Sequence, residues 1–169
     1  KDKNPELLTI WGADIPICER DFWEKVKKQI NLFGSSNKAN TSFIKSNVRQ
    51  LLNSNLLARD YKVSGWWGSI YHSLILLGLV APLTVIKGIG TVLIAATHTR
   101  ELKGPWGSHP LIDNNIAWAD VKVVHDGYEL SRQEKLKYLI KHSPKSLSHL
   151  RVCYSSRSRY NCGRCEKCL

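Results

Sequence analysis

Near its C-terminal end the 169-residue sequence reads Asn161-Cys162-Gly163-Arg164-Cys165-Glu166-Lys167-Cys168, with Cys153 further upstream. The spacing C-x8-C-x2-C-x2-C offers four soft thiolates to one ion, and four ligands complete the tetrahedral shell that zinc takes in structural sites. Glycine at position 163 suits the tight turn between two of these ligands. The spacing therefore predicts a structural zinc site with no open coordination position for catalysis.

Three other uses of these thiols stay open at this point: disulfides in a secreted protein, an iron–sulfur cluster and a redox dithiol. A fifth cysteine, Cys18, makes the count odd, and no signal peptide is visible. Both observations argue against an extracellular disulfide framework. We expect a reduced, cytoplasmic setting, with Cys18 as a buried thiol.

The composition indicates a globular chain with one core. Hydrophobic residues make up 43% of the sequence, which includes six Trp. We expect an α/β domain over residues 1–150 and a zinc-binding tail over residues 151–169, packed on that domain. The net charge of +11 comes from dispersed Lys and Arg. Solvated helix faces account for it, and an anionic ligand, either nucleotide phosphate or nucleic acid, is the alternative.

Two further observations concern the start of the chain and membranes. No Met occurs, not even an initiator, and we expect the chain to begin inside a longer gene product. Ile70–Ala96 is the most apolar segment, but Pro82, Lys87 and Gly88 interrupt it. Its longest apolar run is shorter than the roughly 20 residues that a spanning helix needs. We therefore expect no transmembrane span and no membrane partner.

Local patterns predict alternating strands and helices. Apolar runs rich in strand formers predict strands at Leu7–Trp11, Thr91–Ala96 and Val121–His125, the second of them a central parallel strand. Periodicity and caps predict helices from Asp21 to about Leu32, over Ser42–Leu57, over Trp66–Leu79 before a stop at Pro82, and from a Ser131–Glu134 capping box to about Lys141. This order predicts an α/β fold with a three-layer parallel sheet.

The loop from Thr97 to Asn115 is the first place to look for chemistry. It follows an apolar strand, and α/β sheets bind ligands at the carboxyl ends of their strands. Long loops of this kind are usually functional or disordered. An aromatic side chain there can stack on a base, and Arg or His can meet phosphate or carboxylate. The candidate substrate-binding residues are His98, Arg100, Trp106, Ser108, His109 and Asp113. A surface loop with a packed Trp and solvated polar residues is the alternative.

Other polar residues give weaker signals. Arg49 is a further candidate for substrate binding, although an exposed Arg at a helix start explains it as well. We interpret His72 as a core histidine and His125-Asp126-Gly127 as a strand-end turn, because no G-x-S-x-G elbow supplies a nucleophile. Neither G-x-x-x-x-G-K-[ST] nor G-x-G-x-x-G occurs. No catalytic residue is assigned from the sequence.

The tail from Leu150 to Cys168 resembles the C-terminal zinc site of the 7-cyano-7-deazaguanine synthases, which share C-x8-C-G-x-C-x2-C near the chain end. The order of elements from about Trp66 onward is similar as well. The resemblance implies an adenine nucleotide alpha-hydrolase-like fold in the ATP pyrophosphatase (PP-loop) superfamily. It also implies a queuosine-pathway ligase that uses ATP and Mg²⁺ to adenylate a deazapurine acid and then adds ammonia.

The chain also departs from that family. The S-G-G-x-D-S loop that holds ATP is missing, so the resemblance implies a C-terminal portion or a copy that has lost ATP hydrolysis. The family's substrate loop matches by position alone, near His98, Arg100 and Asp113. We therefore expect a divergent branch of the family that acts on a deazapurine or related acid. A homodimer is one possible assembly. The alternatives are a non-enzymatic zinc module that binds nucleic acid through Arg151, Arg157, Arg159, Arg164 and Lys167, or an inactive partner subunit.

Overall fold

The computed structural model describes residues 4–101, 106–154 and 158–169, and in them the chain has a mixed α/β fold with small parallel sheets. The strands are β1 Glu6–Trp11, β2 Asn40–Lys45, β3 Thr91–Ala95, β4 Ala117–Trp118 and β5 Val121–Asp126. The α-helices are α1 Arg20–Ser36, α2 Val48–Leu51, α3 Ser54–Asp60, α4 His72–Lys87, α5 Pro110–Asp113 and α6 Arg132–His142. A π-helical turn, Trp67–Tyr71, leads into α4, and a 3-10 turn, Pro144–His149, follows α6.

The chain divides into two compact units, one formed by Lys1–Arg49 with Leu139–Leu169 and the other by Gln50–Tyr138. In the first unit β1 and β2 pair in parallel, and α1 connects them. Trp23 lies at the centre of the core of this unit. Trp11 stacks on it with a centroid distance of 5.4 Å, and Phe43 meets it edge-on at 5.8 Å.

The sequence prediction of a helix over Ser42–Leu57 is wrong in its first part. Residues up to Lys45 belong to β2, and only the short helices α2 and α3 follow. Thr41, Phe43 and Ile44 are good strand formers, and the ladder with β1 satisfies their backbone groups. That pairing joins segments 34 positions apart, so helical periodicity within the segment cannot reveal it.

Helix α1 differs from its prediction at both ends. It begins at Arg20, after Glu19, so Asp21 lies in its first turn and is not the cap. It continues past Gly34 to Ser36, beyond the predicted end at about Leu32. By contrast, the predicted capping box of α6 is confirmed. Ser131 N–H donates to Glu134 Oε2 at 2.7 Å, and Glu134 N–H donates to Ser131 Oγ at 3.3 Å. These bonds hold the pKa of the Glu134 carboxyl below its usual range.

In the second unit the strand order is β3-β5-β4, with β3 parallel and β4 antiparallel to β5. The strands at Thr91 and Val121 are thus confirmed, but β3 lies at the edge of this described sheet and not at its centre. Leu77 of α4 packs against Ile94 and Val123 to form the core. Because β3 and β5 run in parallel, their carboxyl ends share one edge of the sheet, which we call the carboxyl edge.

Helix α4 does not stop at Pro82 as the sequence predicts. Pro82 and the residue four positions earlier, Gly78, are both exposed, so the Gly78 carbonyl that loses its N–H partner can bond to water. The helix ends instead at Gly88, whose φ of 62° is left-handed and easily adopted only by glycine. Ile89 N–H then donates to the Thr84 carbonyl at 2.8 Å.

Polar side chains fix the inward face of α4. Ser73 Oγ donates to the Gly107 carbonyl at 2.6 Å, and Thr84 Oγ1 accepts the Trp118 indole N–H at 2.9 Å. Both Ser73 and Thr84 are fully buried. Another face, with Leu74 and Val85, is exposed, so this apolar helix is buried on one side only.

The segment Trp67–Lys87 is long and apolar enough to cross a membrane by length and composition, which the interrupted apolar pattern in the sequence does not indicate. Core helices of soluble proteins have the same composition, although only 28% of the most apolar stretch is buried here. The absence of a membrane partner therefore stays a prediction.

The peptide unit of Gly107 is inserted between the π-helical turn and α4. Gly107 N–H donates to the Gly68 carbonyl at 2.6 Å, and Ser73 N–H donates to the Gly107 carbonyl at 3.0 Å. The Gly68 carbonyl and the Ser73 N–H are five residues apart, and in a continuing π-helix they would bond to each other. A Cβ at position 107 would lie 2.7 Å from the Ile70 carbonyl oxygen, so this insertion requires glycine.

We expect Gly107→Ala to lower the free energy of unfolding by about 1–3 kcal/mol, because the added methyl group forces the loop away from the helix. Gly78→Ala is the matched control. Position 78 is an exposed helix site with nothing within 4 Å of an added Cβ, so it should gain about 0.5–1 kcal/mol. Urea unfolding curves measure both changes. Equal stabilities for the two variants would contradict the insertion.

Candidate functional site

The four tail cysteines come together around one point. The Sγ atoms of Cys153, Cys162, Cys165 and Cys168 all lie within 4.8 Å of one another. Two of the pairs are closer, at 3.8 Å for Cys162–Cys168 and 3.9 Å for Cys165–Cys153. A tetrahedron of sulfurs at the usual zinc–sulfur distance of about 2.3 Å has edges of about 3.8 Å. These residues, which we call the thiol cage, can hold a metal ion.

The turn at Cys162 is shaped to carry a thiolate. Gly163 adopts a left-handed φ of 69°, which reverses the chain between the second and third ligands as the sequence predicts. The backbone N–H groups of Arg164 and Cys165 then point to Cys162 Sγ at 3.4 and 3.3 Å. Such N–H donors spread the negative charge of a metal-bound sulfur and fix its direction.

Asn161 joins the two arms of the cage, and the sequence analysis did not identify it. Its Oδ1 accepts the backbone N–H groups of Val152 and Cys153 at 3.0 and 3.2 Å, and its Nδ2 donates to the Leu150 carbonyl at 2.8 Å. One amide side chain thereby holds the first ligand beside the turn that carries the other three. The signal was its position immediately before Cys162.

Tyr160 and Arg151 anchor the tail on the first unit. Tyr160 packs against the core around Trp23, its hydroxyl donates to the His149 carbonyl at 2.9 Å, and burial raises its pKa. The Arg151 guanidinium lies over the Phe22 ring and bonds to Asp14 at 3.3 Å. The tail is thus held by apolar and charged contacts in addition to the cage.

The cage geometry favours a single metal ion over disulfides and an iron–sulfur cluster, two of the alternatives that the spacing left open. None of the five cysteines forms a disulfide. In a multi-iron cluster the thiolates bind separate irons and lie further apart than sulfurs that share one ion. Cys18 is exposed, so its interpretation as a buried thiol is wrong. The sulfurs fit a single thiophilic ion, and four of them leave it no open position.

The thiols of the cage differ in their pKa. Removal from water raises the pKa of the Cys168 thiol to about 11. Burial acts in the same direction on Cys165, but hydrogen bonds from Cys168 and from backbone N–H groups outweigh it and lower the pKa of Cys165. Near neutral pH a cage without metal therefore keeps the Cys168 proton, and a metal ion that binds must displace it.

At the carboxyl edge, two predicted substrate-loop residues share one hydrogen-bond network with a residue from β5. Asp113 is fully buried, and its Oδ2 accepts the Ser108 hydroxyl at 2.7 Å. The same oxygen lies 2.7 Å from His125 Nδ1. Asn114 adds a second link, because its Oδ1 accepts the His125 backbone N–H at 2.7 Å. Ser108 and Asp113 are therefore held inside the fold and point away from solvent.

His125 differs from its interpretation as a strand-end turn. It is the last buried position of β5, following Val121 and Val123 on the same face of the strand. A histidine in line with the buried positions of a strand needs a polar partner inside the fold. This alternating pattern was the sequence signal that could have identified His125. Its partner Asp113 lies 12 positions earlier, so spacing alone does not reveal the pair.

The other loop candidates make separate contacts. His109 Nδ1 accepts the Leu111 N–H at 3.2 Å, and its Nε2 lies 3.1 Å from the Tyr128 hydroxyl. His98 meets the Trp106 ring edge-on at 5.1 Å. Trp106 packs so closely on Gly68 that a Cβ there would lie 2.6 Å from the indole ring. This contact occupies part of the surface that the stacking hypothesis assigns to a base.

The two arginine candidates lie in different units. Arg100 is exposed in the loop after β3, as a residue that meets a charged ligand would be. Arg49 belongs to the first unit, where its guanidinium donates to the Ala13 carbonyl. Their roles in substrate binding stay predictions. His72, interpreted as a core histidine, is half-buried beside Trp67 and Trp106.

We compared the chain with protein-family models, with curated protein sequences and with solved structures, and none of them matches it. The resemblance of the tail to the 7-cyano-7-deazaguanine synthases therefore rests on the residues themselves. What the chain does has to be argued from the thiol cage and from the carboxyl edge.

We expect Cys153→Ser to weaken metal binding by more than about 100-fold, beyond the loss typical of an outer-shell partner. Cys153 is 1% exposed, and its sulfur closes the cage from the far arm. Competition with a chromophoric chelator measures the affinity. Cys18→Ser is the matched control, since Cys18 lies outside the cage, and it should bind metal like the unchanged protein. Equal affinities for both variants would contradict the ligand set.

We also expect metal affinity to fall as the pH is lowered. Because the Cys168 proton must leave for the metal to bind, affinity should drop about tenfold per pH unit for each proton displaced. Titrations between mildly acidic and mildly basic buffers, with the released protons measured by calorimetry, test this. Affinity that does not vary with pH would show that the thiols are already ionised before metal binds.

Proposed function

We propose that the protein is an ATP-dependent enzyme, similar to the 7-cyano-7-deazaguanine synthases, that adenylates a deazapurine or related carboxylic acid and transfers ammonia to it. The observation that supports this most is the thiol cage, which gathers the four cysteines of the C-x8-C-G-x-C-x2-C pattern around one point. No other feature of the chain is as specific to one family.

The proposal assigns zinc to the cage as a structural ion. Four thiolates suit zinc better than magnesium or calcium, and a closed shell cannot activate water. Cys153 and Asn161 would tie the tail to the turn at Cys162, so the ion stabilises the tail and takes no part in bond making. A reduced cytoplasmic setting, which keeps thiols available for metal, belongs to the same proposal.

The parallel strands support the proposal at the level of architecture. The pairs β1–β2 and β3–β5 have the parallel direction required by the three-layer adenine nucleotide alpha-hydrolase-like sheet that the resemblance implies. The polar loop after β3 is placed where such sheets bind ligands. No S-G-G-x-D-S loop occurs in these 169 residues, so in this proposal ATP and its Mg²⁺ are held by a segment outside them.

A zinc module that binds nucleic acid is the second candidate, and the contacts of its basic residues favour it less. Arg151 is held by Phe22 and Asp14, and Lys167 lies 4.5 Å above the Tyr154 ring. Arg157 lies outside the described residues. Arg159, Arg164 and Lys167 are exposed, but no contact of the described residues shows a phosphate site among them. Strongly salt-dependent nucleic-acid binding would be needed to favour this candidate.

The full-length protein should release pyrophosphate from ATP only when a suitable deazapurine acid is present, and it should release AMP in the second step, when ammonia is present as well. Assays of pyrophosphate release across a panel of deazapurine and related acids, each with a control lacking the acid, test this. Replacing zinc with cadmium should leave the rate unchanged, because a structural ion does not touch the substrate. If no acid in the panel supports pyrophosphate release, the proposal fails and the inactive-subunit alternative is favoured.

A further inference from the structure

Asp113 and His125 form a buried pair of ionisable groups outside the thiol cage, and a structural zinc ion gives this pair no role. The His125 side chain is 2% exposed and that of Asp113 is 0% exposed. Burying two ionisable groups costs free energy unless they are paired with good geometry, and the distance of 2.7 Å between Oδ2 and Nδ1 supplies that pairing. Such couples also orient the imidazole of catalytic histidines.

The contacts of the Asp113 carboxyl group limit where its protons can lie. Asp113 Oδ2 accepts the Ser108 hydroxyl, so it cannot also carry a proton toward Ser108. Asp113 Oδ1 is buried with no hydrogen-bond partner among the described residues, so a proton there would have no acceptor. In the arrangement usual for a carboxylate–imidazole pair, His125 Nδ1 donates to Asp113 Oδ2.

The consequence is that the basic lone pair of a neutral His125 is on Nε2. No group in the described part of the chain hydrogen-bonds to that nitrogen. Ser108 donates to Asp113 and not to His125, so it is not activated as a nucleophile in the manner of a hydrolase serine. The arrangement provides a general base without a nucleophile.

The location of the couple fits a role in chemistry. His125 is paired with Ile94 near the end of β3, so it lies at the carboxyl edge beside the loop that follows. Tyr128 packs edge-on against both His125 and His109, at 5.6 and 5.4 Å, which restricts both rings. A base held this rigidly costs little reorganisation when a proton is transferred.

We propose that His125 is the catalytic proton acceptor of the nitrogen-transfer step, with Asp113 and Ser108 as positioning residues. This rests on the proposed function. The ammonia nitrogen attacks the carbonyl carbon of the acyl adenylate, the carbon–nitrogen bond forms, and the carbon–oxygen bond to AMP breaks with its electron pair leaving on AMP. The proton lost by the nitrogen goes to His125 Nε2 and then to solvent.

Two variants of His125 separate this role from a purely structural one. In His125→Asn the side-chain amide can occupy the place of Nδ1 and still donate to Asp113, but no base remains at the place of Nε2. In His125→Gln the amide reaches toward the place of Nε2 and the bond to Asp113 is lost. We expect the Asn variant to stay folded and the Gln variant to be less stable in thermal unfolding.

The kinetic test uses the full-length protein with ATP, acid and ammonia. His125→Asn should slow ammonia transfer by about 10²–10⁴-fold, the usual contribution of a general base, while acid-dependent ATP–pyrophosphate exchange continues at its normal rate. His142→Asn, on the exposed end of α6, is the matched control and should change neither rate. Ammonia transfer by His125→Asn at the unchanged rate would overturn the assignment.

A second measurement does not depend on activity. Two-bond proton–nitrogen correlation spectra of protein with ¹⁵N-labelled histidine should show His125 protonated at Nδ1 and unprotonated at Nε2, and Asp113→Asn should remove this preference. A proton on Nε2 at neutral pH overturns the proposal. If no acid supports pyrophosphate exchange, the proposed function fails, while the expected spectrum would still support His125 as a proton acceptor.

Discussion

The convergence of four thiol groups is the constraint on which the tail depends. Sulfurs within 4.8 Å of one another repel when they are ionised, so a cation between them favours the thiolate form. Three features position the sulfurs for an ion: the left-handed conformation of Gly163, the N–H donors to Cys162 Sγ, and the hydrogen bonds of Asn161 to the arm that carries Cys153. We therefore expect metal binding to stabilise the fold of the tail.

A second set of polar contacts places the loop at the carboxyl edge. Ser73 and Thr84 turn their hydroxyls inward from an otherwise apolar helix, and Ser73 holds Gly107 against the π-helical turn. The residues that follow Gly107 then enter α5 with Ser108 and Asp113 facing the interior. Ser108 and Asp113, which the sequence suggests as ligand contacts, are instead bonded to each other, and Asp113 also contacts His125.

The sequence predicts features whose causes are local. The strands at Leu7, Thr91 and Val121 and the capping box at Ser131 follow from short patterns, and so does the cysteine cage. It does not predict features that depend on distant partners. The strand at Asn40 needs β1, the helix that continues past Pro82 needs exposed positions there and an end at Gly88, and His125 needs Asp113. The errors at Asn40 and His125 have the same origin, a partner outside the window in which the pattern is read. The error at Pro82 comes from the exposure of Pro82 and Gly78, which the sequence pattern does not show.

The central claim is that the thiol cage holds one zinc ion as a structural clamp. X-ray absorption at the zinc edge of the purified protein, together with its metal content, tests this most directly. The account predicts one zinc per chain with four sulfur ligands at about 2.3 Å and no oxygen or nitrogen in the first shell. A shell that includes water or nitrogen, or protein that contains no zinc, would contradict it.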